Sequence, residues 1–137
     1  MPMRVWLLAL LFCCSVVVAE PLIIRDAYVP LPPPGAPAAA YFTLINEGET
    51  RRLVDVDSPQ AGMTMLHESI VKDGAARMQH VDYLELKKGE VVALKPGGLH
   101  VMLMRLKSPL KVGDQVQIEL QFADESTQMI QVPVIAR

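Results

Sequence analysis

The chain has 137 residues, with 13 Lys and Arg against 15 Asp and Glu, a formal charge of −2. The charges are scattered, with no basic stripe and no acidic tail, which argues against nucleic acid as a partner. The length suits one ordinary domain with a single core, and the two cysteines, Cys13 and Cys14, are adjacent near the start, so no disulfide framework is expected.

Residues 1–19 read as a secretory signal peptide. Arg4 supplies a short positive region, Val5 to Val18 is apolar apart from Ser15, and Val17-Val18-Ala19 places small or branched residues before a cut. The apolar run is too short and wrongly flanked for a stable membrane span, so no membrane insertion is expected after cleavage. A lipid-bearing cysteine of a bacterial lipoprotein follows a small residue, and here Phe12 and Cys13 stand before the two cysteines. The reading is therefore cleavage rather than lipidation. It leaves a mature domain, residues 20–137, without cysteine. In an oxidising compartment thiol ligands are lost to disulfides, and methionine is the soft donor that remains.

The mature chain reads as all-β. A first strand covers Leu22 to Val29. The proline-rich run from Pro30 to Pro37 lacks amide donors and is a stiff connection. Strands follow over Ala38 to Ile45 and Arg51 to Asp57, with a turn cluster at Ser58–Gly62. Thr64 to Val71 is a strand, and Lys72-Asp73-Gly74-Ala75 is a hairpin turn into Arg77–Val81; Asp-Gly is the strongest hairpin signal in the chain. A further strand lies around Val91–Leu94, then a turn at Lys95–Gly98. Strands over His100 to Leu106, Val116 to Phe122 and Met129 to Ile135 complete the domain. Many short strands at this spacing predict an antiparallel sandwich or barrel.

All three histidines and five of the eight methionines fall between Met63 and Met104. Residues two apart on a strand share a face, so His100 and Met102 point one way while Val101 and Leu103 point into the core. Met63, Met65 and His67 alternate in the same manner, and the hairpin brings Met78 toward His67. This gives a candidate metal set of His67, Met78, His100 and Met102. Thioether and imidazole donors without a required carboxylate or thiolate suit Cu(I) better than zinc, iron or calcium. Met104 and Met129 are read as packing residues, and His80 as a histidine without a role.

The spacing His67-x10-Met78-x21-His100-x-Met102 resembles the signature of the periplasmic copper chaperones of the PCu(A)C family. The segment from Lys95 to Met104 and the strand Ala39–Leu44 with Asn46 are similar to the family's as well, and the resemblance covers essentially the whole mature chain. It implies a cupredoxin-like antiparallel Greek-key β-sandwich. It also implies one Cu(I) on an exposed site of two histidines and two methionines: His67, Met78, His100 and Met102. The implied role is delivery of copper to the dinuclear site of cytochrome c oxidase subunit II, alongside a Sco-type chaperone, in the periplasm. Two departures stand out. Arg105 occupies a position where many relatives have glycine. The sequence ends at Arg137 without a His- and Met-rich tail, so a second, Cu(II)-binding site is not expected.

Rival readings make different demands. A blue-copper electron carrier needs a cysteine ligand, which the mature chain lacks. An enzyme needs a nucleophile–base set, and none stands out, so the expectation is a protein without catalytic activity. A periplasmic copper storage or tolerance protein shares the ligand chemistry. A metal-free β-sandwich interaction module would leave the His/Met set without purpose.

Overall fold

The computed structural model describes residues 22–136, together with Cys13. The predicted signal peptide, residues 1–19, otherwise lies outside the described residues. Ten strands follow one another: β1 (Ile23–Pro30), β2 (Ala38–Ile45), β3 (Arg51–Asp57), β4 (Ala61–Lys72), β5 (Ala75–His80), β6 (Leu84–Leu86), β7 (Val91–Ala93), β8 (Leu99–Leu106), β9 (Gln115–Phe122) and β10 (Thr127–Ile135). The hydrogen-bonded path runs β5-β4-β8-β2-β1-β10-β9-β3-β6, with β7 also pairing with β2. All neighbours are antiparallel except β1 and β10, which run parallel where Val29 meets Val134 and Pro30 meets Ile135. That short parallel contact joins the two halves of a β-sandwich of the cupredoxin-like kind.

The core follows from strand alternation. On β2, Ala38, Ala40, Phe42 and Leu44 are buried while the residues between them are not. On β8 the inward residues are Val101 and Leu103, and on β9 they are Val116, Ile118, Leu120 and Phe122. These side chains form one cluster, so each strand presents its second face outward. Asn46, also buried, ends β2 by donating its amide to the carbonyls of Leu86 (2.8 Å) and Glu49 (3.0 Å). Met129 differs from expectation: it is 50% exposed. Ile130, Val132 and Val134 fill the inward positions of β10, so strand geometry turns Met129 out.

The hairpin between β4 and β5 is a two-residue turn. Asp73 and Gly74 have φ of 53° and 76°, the pair of positive values that matches the strand twist. β4 starts earlier than the sequence pattern predicts, because the turn at Ser58 closes at once through Ala61 N–H donating to the Ser58 carbonyl (3.3 Å). Gly62 therefore lies within β4, beside Arg105 of β8.

Arg105 has a φ of 52°, a left-handed conformation that a side chain tolerates poorly. A Cβ on Gly62 would lie 3.0 Å from Arg105 Cβ and 3.3 Å from its carbonyl oxygen. The glycine makes room for the arginine's irregular backbone. Replacing Arg105 with glycine relieves the conformation, and Arg105→Gly is expected to raise stability by about 0.5–1 kcal/mol. Urea denaturation of the two proteins measures the change. Gly62→Ala is expected to lower stability by the same assay.

Candidate metal centre

The site is built on three adjacent strands. β4 lies between β5 and β8, and its register with each determines which side chains meet. Against β8, His67 pairs with His100, Met65 with Met102 and Met63 with Met104. Against β5, His67 pairs with His80 and Ser69 with Met78. Directly opposed residues point to the same side of a sheet, with Cβ atoms about 4.5–5.5 Å apart. Three histidines thus form one row, His80–His67–His100, on the outward face. The ring centroids of His67 and His100 are 5.9 Å apart, and those of His67 and His80 are 6.1 Å apart.

His100 is 3% exposed, the most buried of these groups. Its Nδ1 lies 3.1 Å from the Gly98 carbonyl. A carbonyl only accepts, so Nδ1 carries the proton and Nε2 keeps its lone pair. The turn that supplies this carbonyl is held by Gly98 N–H donating to Lys95 and Lys95 N–H donating to Leu99, both at 3.0 Å. Gly97, at φ 83°, permits it.

His100 Nε2 and His67 Nδ1 are both buried and neither has a hydrogen-bond partner. Buried polar atoms are almost always paired. Two unpaired ring nitrogens on directly opposed histidines are a donor pair whose lone pairs a metal ion could satisfy. Tyr41 covers the other side of His100, with ring centroids 6.3 Å apart. Burial, then the neighbouring Tyr28, raises the Tyr41 phenol above its ordinary range, so it remains protonated and serves as a wall.

Of the four candidate ligands, His67, His100 and Met102 share one face of the adjacent strands β4 and β8. Met102 is half-buried, two residues along β8 from His100 and on the same face. Met78 stands farther out. It lies diagonal to His67 on β5, is 59% exposed, and is two strand spacings, about 10 Å, from the line of β8. Its three rotatable bonds let the sulfur lean over β4. His67, on the middle strand, is the point that all the others can reach.

Two residues enter the neighbourhood that sequence reasoning passed over. His80, read as having no role, lies directly opposite His67, with its Nε2 3.5 Å from Asp82 Oδ1. Met65 lies opposite Met102 and two residues from His67. The two-residue hairpin is the signal that finds His80: counting outward from the Lys72–Ala75 pair reaches His67 opposite His80. Among the described residues no group of three or more His, Cys, Asp or Glu side chains is arranged to hold a metal ion. At the histidine row, thioether sulfur from the neighbouring methionines is available besides imidazole.

Residues 22–134 match the LpqE-like family model, whose description is that of a lipoprotein. A protein of Leifsonia xyli subsp. xyli named as a lipoprotein, Lxx21020, is 39% identical over 98 residues. The match takes in 70% of this chain but 59% of that protein's length. The solution structure of Cu(I)-DR1885 from Deinococcus radiodurans superposes with a TM-score of 0.66 at 34% identity, covering 88% of this chain and 83% of that one. The copper-bound PCuAC domain from PmoF2 has the same fold, with a TM-score of 0.70 at 21% identity over 88% of this chain and 97% of that domain.

The environment of His67 also sets a pH dependence. Burial first, then the neighbouring His100 and His80, holds its imidazole below the ordinary 6.5. The unfolded chain therefore binds the proton more readily, and stability rises with pH between the lowered value and 6.5. This contribution is fully present above 6.5 and is lost as pH falls through the folded-state value. The protein is expected to melt at a lower temperature at pH 5 than at pH 7.5. His67→Gln should reduce that difference. Thermal unfolding of both proteins at the two pH values measures it.

Proposed function

This chain belongs to the LpqE-like family, and on that premise we propose that it is an exported copper chaperone. The resemblance to the PCu(A)C family read from its sequence holds. The proposed cargo is one Cu(I), bound by His67, His100, Met102 and Met78 and carried in the periplasm for metallation of the copper site of cytochrome c oxidase. The immediate recipient is subunit II or a Sco-type chaperone.

The observation that carries this reading is the pair of buried, unpartnered nitrogens, His67 Nδ1 and His100 Nε2, on directly opposed residues of β4 and β8. Their chemistry fits a borderline-to-soft ion, and the half-buried Met102 beside them adds a soft donor. The likeness to Cu(I)-DR1885 at 34% identity supports the choice of metal. The lipoprotein names of the family and of the Leifsonia relative support export. Phe12 and Cys13, standing ahead of the two cysteines, argue against lipid attachment in this chain.

A carrier must hold its ion selectively and still release it. All four donors are neutral, so no charge pair tightens the hold. Cu(I) has a filled d shell and accepts three or four ligands without a strong geometric demand. An incoming thiolate can displace the exposed Met78 first and the buried His100 last, one bond at a time. The ion keeps its oxidation state throughout. The lowered proton affinity of His67 keeps that ligand in its binding form below 6.5.

Anaerobic Cu(I) titration against a chromogenic chelator tests the reading. The protein is expected to hold one equivalent tightly. His100→Ala should lose it, and Met78→Ala should weaken it by about tenfold or more, since loss of even an outer-shell partner costs about 10–100-fold. Binding indifferent to both substitutions would remove the copper reading. Deletion of the gene should lower cytochrome c oxidase activity; lowered copper resistance with normal oxidase would favour storage or tolerance instead.

A further inference from the structure

Methionine is an ordinary filler of irregular cores. Here, among the described residues, no methionine belongs to the buried core, which is made of Leu, Val, Ala, Phe and Ile. Met63, Met65, Met102 and Met104 are instead half-buried on the outward face of β4 and β8. They form two successive cross-strand rungs, Met63 opposite Met104 and Met65 opposite Met102. The next rung is His67 opposite His100. One face of this strand pair therefore presents, in order, two thioethers, two thioethers and two imidazoles.

Packing does not account for this choice. A half-exposed sheet face is ordinarily filled by threonine and β-branched or aromatic residues, which suit the pleat. Methionine has weak strand preference and loses much side-chain freedom when ordered. What it brings is a soft sulfur on a flexible arm. Directly opposed residues have Cβ atoms about 4.5–5.5 Å apart, and diagonal ones about 7–8 Å. Three sulfurs from Met63, Met104 and Met65 can close on one point between them.

We propose that Met63, Met104 and Met65 form a second, thioether-only position for a soft monovalent d10 cation, Cu(I) or Ag(I), next to the His67–His100 pair. The second position lies two rungs, about 13 Å along the strands, from the histidine row at its far edge, and one rung, about 7 Å, from Met102. Met102, shared in reach by both positions, connects them. Its opposite neighbour Met65 allows an ion to pass along the seam by exchange of one thioether for another, with no change of charge. The passage rests on the proposed copper role of the histidine pair; the methionine position itself does not.

Silver titration with methyl detection tests the proposal. The probe is Ag(I), a redox-inert soft cation, repeated with anaerobic Cu(I). The protein carries 13C at its methionine methyl groups, assigned by single substitutions. The first equivalent is expected to move the methyl signals of Met102 and Met78. The second equivalent is expected to move those of Met63, Met104 and Met65. In the double variant Met63→Leu, Met104→Leu, the second-equivalent shifts of Met65 should vanish while the first-equivalent shifts remain. Leucine keeps the apolar volume, and an unchanged melting temperature confirms that the face is intact.

Methyl signals of Met63 and Met104 that stay fixed through several equivalents would overturn the proposal. So would their movement with the first equivalent, which would place them in a single site, or a second-equivalent shift of Met65 that survives the double substitution. Loss of the first-equivalent shift of Met102 and Met78 would instead strike the histidine-pair reading. The two failures are thus read from different methyl groups.

Discussion

Seven cross-strand pairs between β4 and β8, from Ala61–Leu106 to Glu68–Leu99, hold the features described above in place. Side chains alternate between faces along a strand, so a slip of one residue would exchange the two faces. Val101 and Leu103 would then lie in water, and His100, Met102 and Met104 in the core. The burial of Leu66, Val101 and Leu103 fixes the register from inside. The turn at Lys95–Leu99 and the bond from Ser69 N–H to the Gly98 carbonyl (3.0 Å) fix it at the histidine end. The arrangement of the outward histidines and methionines is thus a by-product of core packing.

The same arrangement divides the site into a firm half and a loose half. His100 is backed by the sandwich, walled by Tyr41 and held by the Gly98 carbonyl. β5, by contrast, is exposed along its whole length and, among the described residues, pairs only with β4. Local opening free energies are lowest where few buried contacts hold a segment. His80 and Met78 therefore sit on the strand that can most cheaply move, and His100 and Met102 on one that cannot. Under the proposed copper role, this ordering would give release a direction, with donors leaving from the β5 side.

Much of this is legible in the sequence. Strand alternation predicts the inward Val101 and Leu103 and the shared face of His100 and Met102. The Asp73-Gly74 turn places β5 against β4, and with its two-residue geometry it contains the His67–His80 pairing too. Met129 is mistaken for core because methionine is apolar, although the period of Ile130, Val132 and Val134 already turns it outward. Other features have no local signal. The pairing of β4 with β8 joins segments separated by three intervening strands, and the parallel contact of β1 with β10 joins the two ends of the domain. The fit of Gly62 to the left-handed Arg105 shows only when the two strands lie side by side.

The two faces of β8 use different chemistry for different ends. Inward, Val101 and Leu103 are branched, with few rotamers and no accessible polar atom, so they specify one packing. Outward, Met102 and Met104 are unbranched and polarisable, and they specify a packing poorly. Separating the two by strand alternation lets the methionine face change its rotamers while the backbone that positions it stays fixed. Had methionines also filled the inner face, each movement of the outer side chains would have been free to spread into the core. A sheet, in which neighbouring residues belong to opposite faces, isolates a soft, adaptable surface from a rigid interior within two residues of chain.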